Sequence, residues 1–186
     1  MPTPARTSTE KIVSVGRRIL ESEGLEALTM QAVAEAVGVR APSLYKRVKR
    51  RADLVRLISN DAAGELTARL DAAARAGNPR DDLRSMAAAQ RAFAQEHPGA
   101  YGLLFAPLRE GWRVDADVNA RLSATLLRTA AALAGNQQGL EAARTIVAWA
   151  HGFVSMELAG AFRLGGDVDA AFEYGIDRIA AAIATD

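Results

Sequence analysis

The feature that most constrains this chain is a glycine break between two short amphipathic segments, in LTMQAVAEAVGVRAPSLYKRVKRRADLVRL, residues 28–57. Thr29 is a preferred helix N-cap residue. Apolar residues then recur at helical spacing until Gly38, which accepts the left-handed conformation that ends many helices. Pro42 suits the first turn of a second helix, because the N–H that proline lacks has no intrahelical partner there. The pattern therefore predicts a helix-turn-helix, whose second helix fits the major groove of DNA.

Charge is unevenly distributed along the chain, and the basic charge coincides with this motif. Residues 39–51 include six basic side chains and no acidic one. Residues 1–56 carry 11 Lys or Arg and 6 Asp or Glu, a net charge of +5, whereas residues 57–186 carry 12 and 16, a net charge of −4. The overall charge of +1 thus combines a basic N-terminal region with an acidic remainder. A polyanion is attracted to the first region only.

Helical spacing and Gly or Pro breaks continue along the rest of the chain, which predicts an all-α fold of about nine helices. Thr7 and Glu10 have the spacing of a capping box at the start of the first helix. We predict two domains, a three-helix helix-turn-helix domain over residues 1–54 and a helical domain over residues 55–186, joined by a long helix.

The segment TIVAWAHGFVSMELAGAF, residues 145–162, contains one formally charged residue, Glu157. Its length approaches that of a membrane span, but His151, Ser155 and Glu157 within it and the lack of a second such segment argue against one. One stripe of the predicted helix carries small or branched side chains, and another carries large ones. We expect the large stripe inside the body of the chain and the small stripe against a second copy. The residues assigned to this dimer interface, with the last helix, are Val147, Val154, Leu158, Phe172, Ile176 and Ile179.

A series of residues over about 50 positions resembles the DNA-binding domain of the tetracycline-repressor (TetR) family. The series is Gly24-Leu25, Leu28-Thr29, Val33-Ala34, Gly38-Val39, Ser43-Leu44-Tyr45, Val48 and Asp53-Leu54. Further along, HPGAYGLLFAP and Trp149-Ala150-His151-Gly152 resemble the C-terminal domain type named after its Trp-His-Gly signature, although here Ala150 interrupts that signature. The resemblance implies a C-terminal domain that binds an effector and dimerises through a four-helix interface, and a repressor released from a palindromic operator.

The resemblance also implies which side chains contact DNA. Arg40 is the best candidate for a guanine, and the basic side of the second helix favours a phosphate contact for Tyr45 over a place in the core. Residues expected to reach base edges are Gln31, Arg40, Ala41, Pro42 and Ser43. Residues expected to hold phosphates are Thr29, Tyr45, Lys46, Arg47 and Arg51.

Aromatic and sulfur side chains in the predicted second domain supply enough apolar surface to line a cavity between helices. Packing in the core is the ordinary role of each one alone, and a histidine in an apolar helix is most often a hydrogen-bonded core residue. The residues predicted to bind a small apolar or aromatic effector are Tyr101, Phe105, Trp112, Trp149, His151, Phe153 and Met156.

The sequence shows no constellation of catalytic residues. It contains no HExxH, GxSxG, Walker or GxGxxG motif, and its two histidines lack the spacing of a helical metal pair. We therefore expect no enzyme activity, no cofactor and no metal. Without cysteine, and with no apolar signal core in its first residues, the chain fits a cytoplasmic protein with a flexible N-terminal arm.

Three functional classes remain open at this point. The first is a dimeric, ligand-responsive repressor. The second is a DNA-binding dimer whose C-terminal domain recruits a protein partner. The third is an all-helical enzyme or lipid carrier with an incidental basic face.

Overall fold

The computed structural model describes residues 8–106 and 110–184, and all regular structure within them is helical. This confirms the predicted all-α class and, for the described residues, nine α-helices. The helices are α1 (Thr9–Glu23), α2 (Met30–Val37), α3 (Ala41–Tyr45), α4 (Arg51–Ala73), α5 (Pro79–Glu96), α6 (Pro98–Phe105), α7 (Ala116–Ala134), α8 (Gly139–Leu158) and α9 (Val168–Ile183), with a 3-10 turn at Glu110–Trp112. None of the described helices combines the length and apolar character needed to cross a membrane.

Side-chain caps begin three of these helices. The hydroxyl of Thr29 accepts the Ala32 N–H at 3.1 Å, as the sequence predicts. The carboxylate of Asp167 accepts the N–H groups at the start of α9. Ser8 caps α1 by accepting the Lys11 N–H at 3.2 Å. The predicted cap at Thr7 was wrong by one residue, and Thr7 itself lies outside the described residues.

The chain divides into two compact units. The first lies within Met1–Gly64 and His97–Asn119, and the second within Glu65–Glu96 and Ala120–Asp186. Helix α4 contributes to both units, so the predicted boundary after residue 54 falls inside it, and that division into domains stays a prediction. The grouping of residues 97–119 with the helix-turn-helix could not be seen in the sequence.

The first unit is built around the helix-turn-helix. Helix α1 packs against α2 and α6, and α2 packs against α3. Gly16 permits a close approach of α1 to α4, because a Cβ there would lie only 2.8 Å from a methyl carbon of Ile58. The fully buried core side chains of this unit include Ile12, Leu28, Val33, Leu44, Leu54 and Ile58.

In the second unit, α5 packs against α8 and α9, and α8 packs against α9. The small-residue stripe of α8 is used inside the chain: Ala143, Ala150 and Val154 are buried there. By contrast, Met156 of the large stripe is exposed. The expectation that the small stripe faces a partner is therefore corrected for these residues, since the helices of one subunit already need small side chains to approach each other.

Candidate nucleic-acid interface and ligand sites

The turn between α2 and α3 has the geometry that the sequence predicts. Gly38 adopts the left-handed conformation, with φ 82° and ψ 36°, and its N–H donates to the carbonyls of Ala34 and Glu35. Pro42 lies in the first turn of α3, which ends at Tyr45. Val48 follows this helix without extending it, and its side chain is buried. The two short helices are thus joined by a single tight turn.

The solvent side of α3 and the following turn carries the predicted DNA-contact residues. Tyr45 is 48% exposed, while Leu44 beside it is buried. Four basic side chains there form no hydrogen bond or ion pair with another described residue, so their charge is available to a polyanion. They are Arg40, Lys46, Arg47 and Lys49. The exposed side chains of this surface are Arg40, Pro42, Ser43, Tyr45, Lys46, Arg47 and Lys49.

Two of the predicted contacts on α2 also reach the surface. Gln31 is exposed, and its amide donates to the Glu35 carboxylate at 2.9 Å. Thr29 is exposed while its hydroxyl caps α2. Both side chains are therefore open to solvent, and their contacts with DNA stay a prediction.

Arg50 and Arg51 have different surroundings from the four unpaired basic residues. Arg50 donates to both carboxylate oxygens of Asp53, at 3.2 and 3.3 Å, which lowers the pKa of that carboxyl below its ordinary 3.8. The guanidinium of Arg51 donates to the carbonyls of Leu28 and Leu25, at 2.8 and 2.5 Å, and lies 5.1 Å from the ring centre of Trp112. Arg51 was predicted to hold a phosphate, but in the structure its guanidinium already binds two carbonyls and an aromatic ring of the protein.

Three predicted effector-contact residues belong to the first unit. Tyr101 is buried, and its ring lies 4.8 Å from that of Phe105. Trp112 is half-buried over Arg51. The start of α6 is fixed by Glu21, whose carboxylate accepts the N–H groups of Gly99 and Ala100 at 2.8 and 2.9 Å.

The other aromatic residues form a packed cluster in the second unit. Trp149 stacks on Phe172 with ring centres 5.3 Å apart, and Phe153 contacts Phe172 and Phe162 at 5.1 and 4.7 Å. The Trp149 indole lies against Gly175, where any Cβ would overlap it. Of the residues predicted to bind the effector, Trp149 and Phe153 come together in this cluster, whereas Met156 is exposed.

His151 is half-buried on α8, and its ring nitrogens both lie 3.4 Å from the Ser155 hydroxyl. Burial lowers its pKa below the ordinary 6.5.

A cleft in the second unit was not predicted. It measures about 480 Å³ and is lined by α4, α5 and α7. Thr125 and Thr129, one turn apart and both buried, face it, and Thr125 bonds to Asp71 and accepts from Arg128. The spacing of these two threonines in α7 was the available sequence signal. The residues that line the cleft are Thr67, Asp71, Ala74, Pro79, Asp82, Arg121, Ala124, Thr125, Arg128, Thr129 and Ala132.

The predicted dimer-interface residues fall into two groups. Val154, Phe172 and Ile176 are buried within the chain, so no surface of theirs is left for a partner. Leu158 is 41% exposed. Val147 and Ile179 are half-buried.

Comparisons with known proteins agree with this architecture. A family model for bacterial regulatory proteins of the tetR family matches residues 12–58, and a model for the tetracyclin repressor-like C-terminal domain matches residues 83–179. The chain is 32% identical to an HTH-type transcriptional regulator of Mycobacterium tuberculosis, Rv0681, over 97% of this chain and 83% of that protein.

Solved structures share the fold. The transcriptional regulator SCO7222, a TetR from Streptomyces coelicolor, matches with a TM-score of 0.72 and 19% identity over 95% of this chain and 97% of that one. A TetR variant from Acinetobacter baumannii AYE, in complex with minocycline, matches with a TM-score of 0.70 and 19% identity over 95% and 96%.

Proposed function

Because this chain belongs to the TetR family of transcriptional regulators, which are DNA-binding proteins and not enzymes, we propose that it is a dimeric repressor released from a palindromic operator by a small effector. The observation that carries the DNA-binding part is the exposed, unpaired basic surface around α3. In the proposed complex α3 enters the major groove. Base edges are met by Gln31, Arg40, Ala41, Pro42 and Ser43, and phosphates by Thr29, Tyr45, Lys46 and Arg47.

A selection experiment tests this part directly. The full chain is used to select duplexes from a random library, and the affinity for the selected duplex is measured over a series of salt concentrations. We expect a palindromic sequence whose affinity falls steeply as salt rises, because each neutralised phosphate releases counterions. Binding that is independent of salt, or no enrichment of any duplex, would contradict the proposal.

Dimerisation is proposed through the exposed apolar side chains of the last two helices and the segment between them. Leu158 and Phe162 are 41% and 38% exposed, and Tyr174 is 65% exposed. Two copies joined there would present two recognition helices to successive major grooves, about 34 Å apart. Apolar side chains left this accessible are typical of a surface that a second copy covers.

The variant Leu158→Glu tests the interface by light scattering, because it places a charge on that surface without disturbing the subunit core. We expect a monomer that has lost most of its affinity for the operator. Val154→Glu is unsuitable, since Val154 is fully buried and a charge there would unfold the subunit. The matched control is Leu127→Glu on α7, also an exposed leucine, which should stay dimeric. A dimeric Leu158→Glu protein would contradict this assignment.

For the effector we propose a site in the second unit, and two places there supply different chemistry. The aromatic cluster of Trp149, Phe153, Phe162 and Phe172 suits the apolar compound that the sequence predicts. The cleft beside Thr125 suits a polar one, because hydroxyl, carboxylate and guanidinium groups line it. A volume of about 480 Å³ is in the range of small-molecule sites. An effector of either kind acts by binding the DNA-free state better than the DNA-bound state.

Two variants distinguish the two places. Minocycline, present in the Acinetobacter complex, serves as the first probe within a wider panel of small molecules. If the cleft binds the effector, Thr125→Val should abolish release from the operator and Trp149→Ala should mainly lower the melting temperature. The reverse result would favour the aromatic cluster. If no compound releases the wild-type protein from DNA, the alternative gains support, a DNA-binding dimer that recruits a protein partner.

A further inference from the structure

The surroundings of Arg51 show how the start of α2 is held. The turn that connects α1 to α2 contains two backbone carbonyls, those of Leu25 and Leu28, that accept from one guanidinium. Leu28 directly precedes Thr29, whose hydroxyl caps α2. Because guanidinium donors lie in one plane, a single arginine fixes both carbonyls at once. The orientation of the first turn of α2 therefore depends on a side chain from the first residue of α4.

The same guanidinium lies over the ring of Trp112, whose centre is 5.1 Å from the Arg51 Cζ atom. Trp112 ends the 3-10 turn between α6 and α7, within the part of the chain that packs with the helix-turn-helix. Three groups of the protein thus hold Arg51: two in-plane acceptors and one aromatic face. Arg40 and Arg47, by contrast, have no such contacts with described residues.

We infer that Arg51 is a positioning residue for DNA binding, which holds the N-terminal end of α2 in place, and that Trp112 is part of the same device. Arg51 acts on Thr29 through the carbonyls of Leu25 and Leu28. The inference rests on the function proposed above, in which Thr29 faces the DNA. Trp112, remote in sequence, becomes a component of the DNA-binding unit. A phosphate contact by Arg51 is the competing assignment.

The two assignments predict different responses to salt. A phosphate contact contributes about one unit to the slope of log affinity against log salt concentration, whereas a positioning residue contributes none. We would measure the affinity for the selected duplex over a salt series, at a temperature where every variant is folded by circular dichroism. The variants are Arg51→Gln, Arg51→Lys, Trp112→Ala and Trp112→Phe. The control is Arg47→Gln, which removes a basic side chain of the same unit that forms no hydrogen bond or close ion pair with another described residue.

We expect Arg51→Gln and Trp112→Ala to weaken binding by on the order of tenfold each, with an unchanged salt slope. Arg51→Lys should not restore binding, because a lysine ammonium lacks the planar fork that reaches two carbonyls. Trp112→Phe should stay close to the wild type, since it keeps an aromatic face. Arg47→Gln should lower the slope by about one unit.

Hydrogen exchange supplies a measurement that does not need DNA. In the free protein, amide exchange over residues 25–33 should become faster in Arg51→Gln and in Trp112→Ala, and should stay unchanged in Arg47→Gln. This result would still be obtained if the wild-type chain selected no duplex, so failure of the proposed function is distinguishable from failure of this inference.

Three results would overturn the inference. The first is a salt slope lowered by about one unit in Arg51→Gln together with wild-type binding by Trp112→Ala, which would make Arg51 a phosphate contact. The second is a lower melting temperature with unchanged affinity for DNA, which would leave Arg51 a role in stability alone. The third is unchanged exchange over residues 25–33. Should Arg51→Gln fail to fold, the Trp112 pair of variants decides by the same criteria.

Discussion

Arg40 and Arg47 on the α3 surface and Arg84 and Arg91 on α5 have opposite surroundings, although all four lie at the protein surface or close to it. Arg40 and Arg47 have no ion pair with a described residue. On α5, Arg91 contacts Glu157 at 2.5 Å and Asp169 at 2.6 Å, and Arg84 contacts Asp177 at 2.5 Å. The unpaired arginines keep their charge for a ligand, whereas the paired ones join α5 to α8 and α9. The number of basic residues alone would not separate these roles.

Arg91 is the most constrained of these side chains. It is 12% exposed, its guanidinium lies 4.9 Å from the ring centre of Phe172, and hydrogen bonds to Glu157 and then Asp169 raise its pKa above the ordinary value. Glu157 is itself 17% exposed. A pair removed this far from water is costly to break from one side, because the remaining charge stays partly buried.

The largest effect that the comparison predicts is therefore on stability. Replacing Arg91 with Met should lower the free energy of unfolding by roughly 2 to 3 kcal/mol, below the loss for a fully buried pair. Urea denaturation measures this change. The matched control is Arg84→Met, whose partners are half-exposed and whose loss should cost less than about 1 kcal/mol. If both variants lost the same stability, the degree of burial would not be what distinguishes these ion pairs.

The second prediction concerns Arg40, an unpaired arginine of the α3 surface. Replacing Arg40 with Ala should cost about 1 to 3 kcal/mol in operator binding and relax the preference at one base pair, because a guanine contact is lost. Its free energy of unfolding should hardly change, since the exposed side chain forms no hydrogen bond or ion pair with a described residue. Affinity for the selected duplex and for its single-base variants provides the test, with urea denaturation beside it. A stability loss like that of Arg91→Met would contradict the division of roles.

The features of the fold and of the candidate site that could be predicted are those that depend on residues close together in the sequence. The Gly38 turn, the Thr29 cap and the place of Pro42 in the first turn of α3 depend on neighbours within a few residues, so the sequence predicted them. The contact between Arg51 and Trp112, and the ion pair between Arg91 and Glu157, join residues more than fifty positions apart. Nothing in local periodicity indicates such partners, and for the same reason a basic run could not be divided into free and engaged side chains.

The course of α8 shows a second limit of the sequence pattern. A stripe of small side chains predicts close helix packing, but it does not say whether the neighbouring helix belongs to the same subunit or to a partner. Here Ala143, Ala150 and Val154 are buried within the chain. Apolar residues that periodicity alone did not single out, such as Phe162 and Tyr174, are left exposed.

The smallest predicted effect is on the pH dependence of stability. Burial lowers the pKa of His151 in the second unit, so below about pH 6.5 the unfolded chain binds a proton that the folded chain resists. The contribution is therefore fully present above that pH and is lost as the pH falls toward the lowered pKa. We expect the free energy of unfolding to decrease between about pH 7.5 and about pH 5.5, and this decrease to become smaller in His151→Gln.

The matched control is His97→Gln, which removes the other histidine. Operator affinity of His151→Gln at neutral pH should equal that of the wild type, because a second-unit group that acts on stability has no part in the unpaired basic surface. An unchanged pH dependence in His151→Gln would mean that another group titrates. A loss of DNA affinity would show that the second unit and the basic surface around α3 are coupled in function.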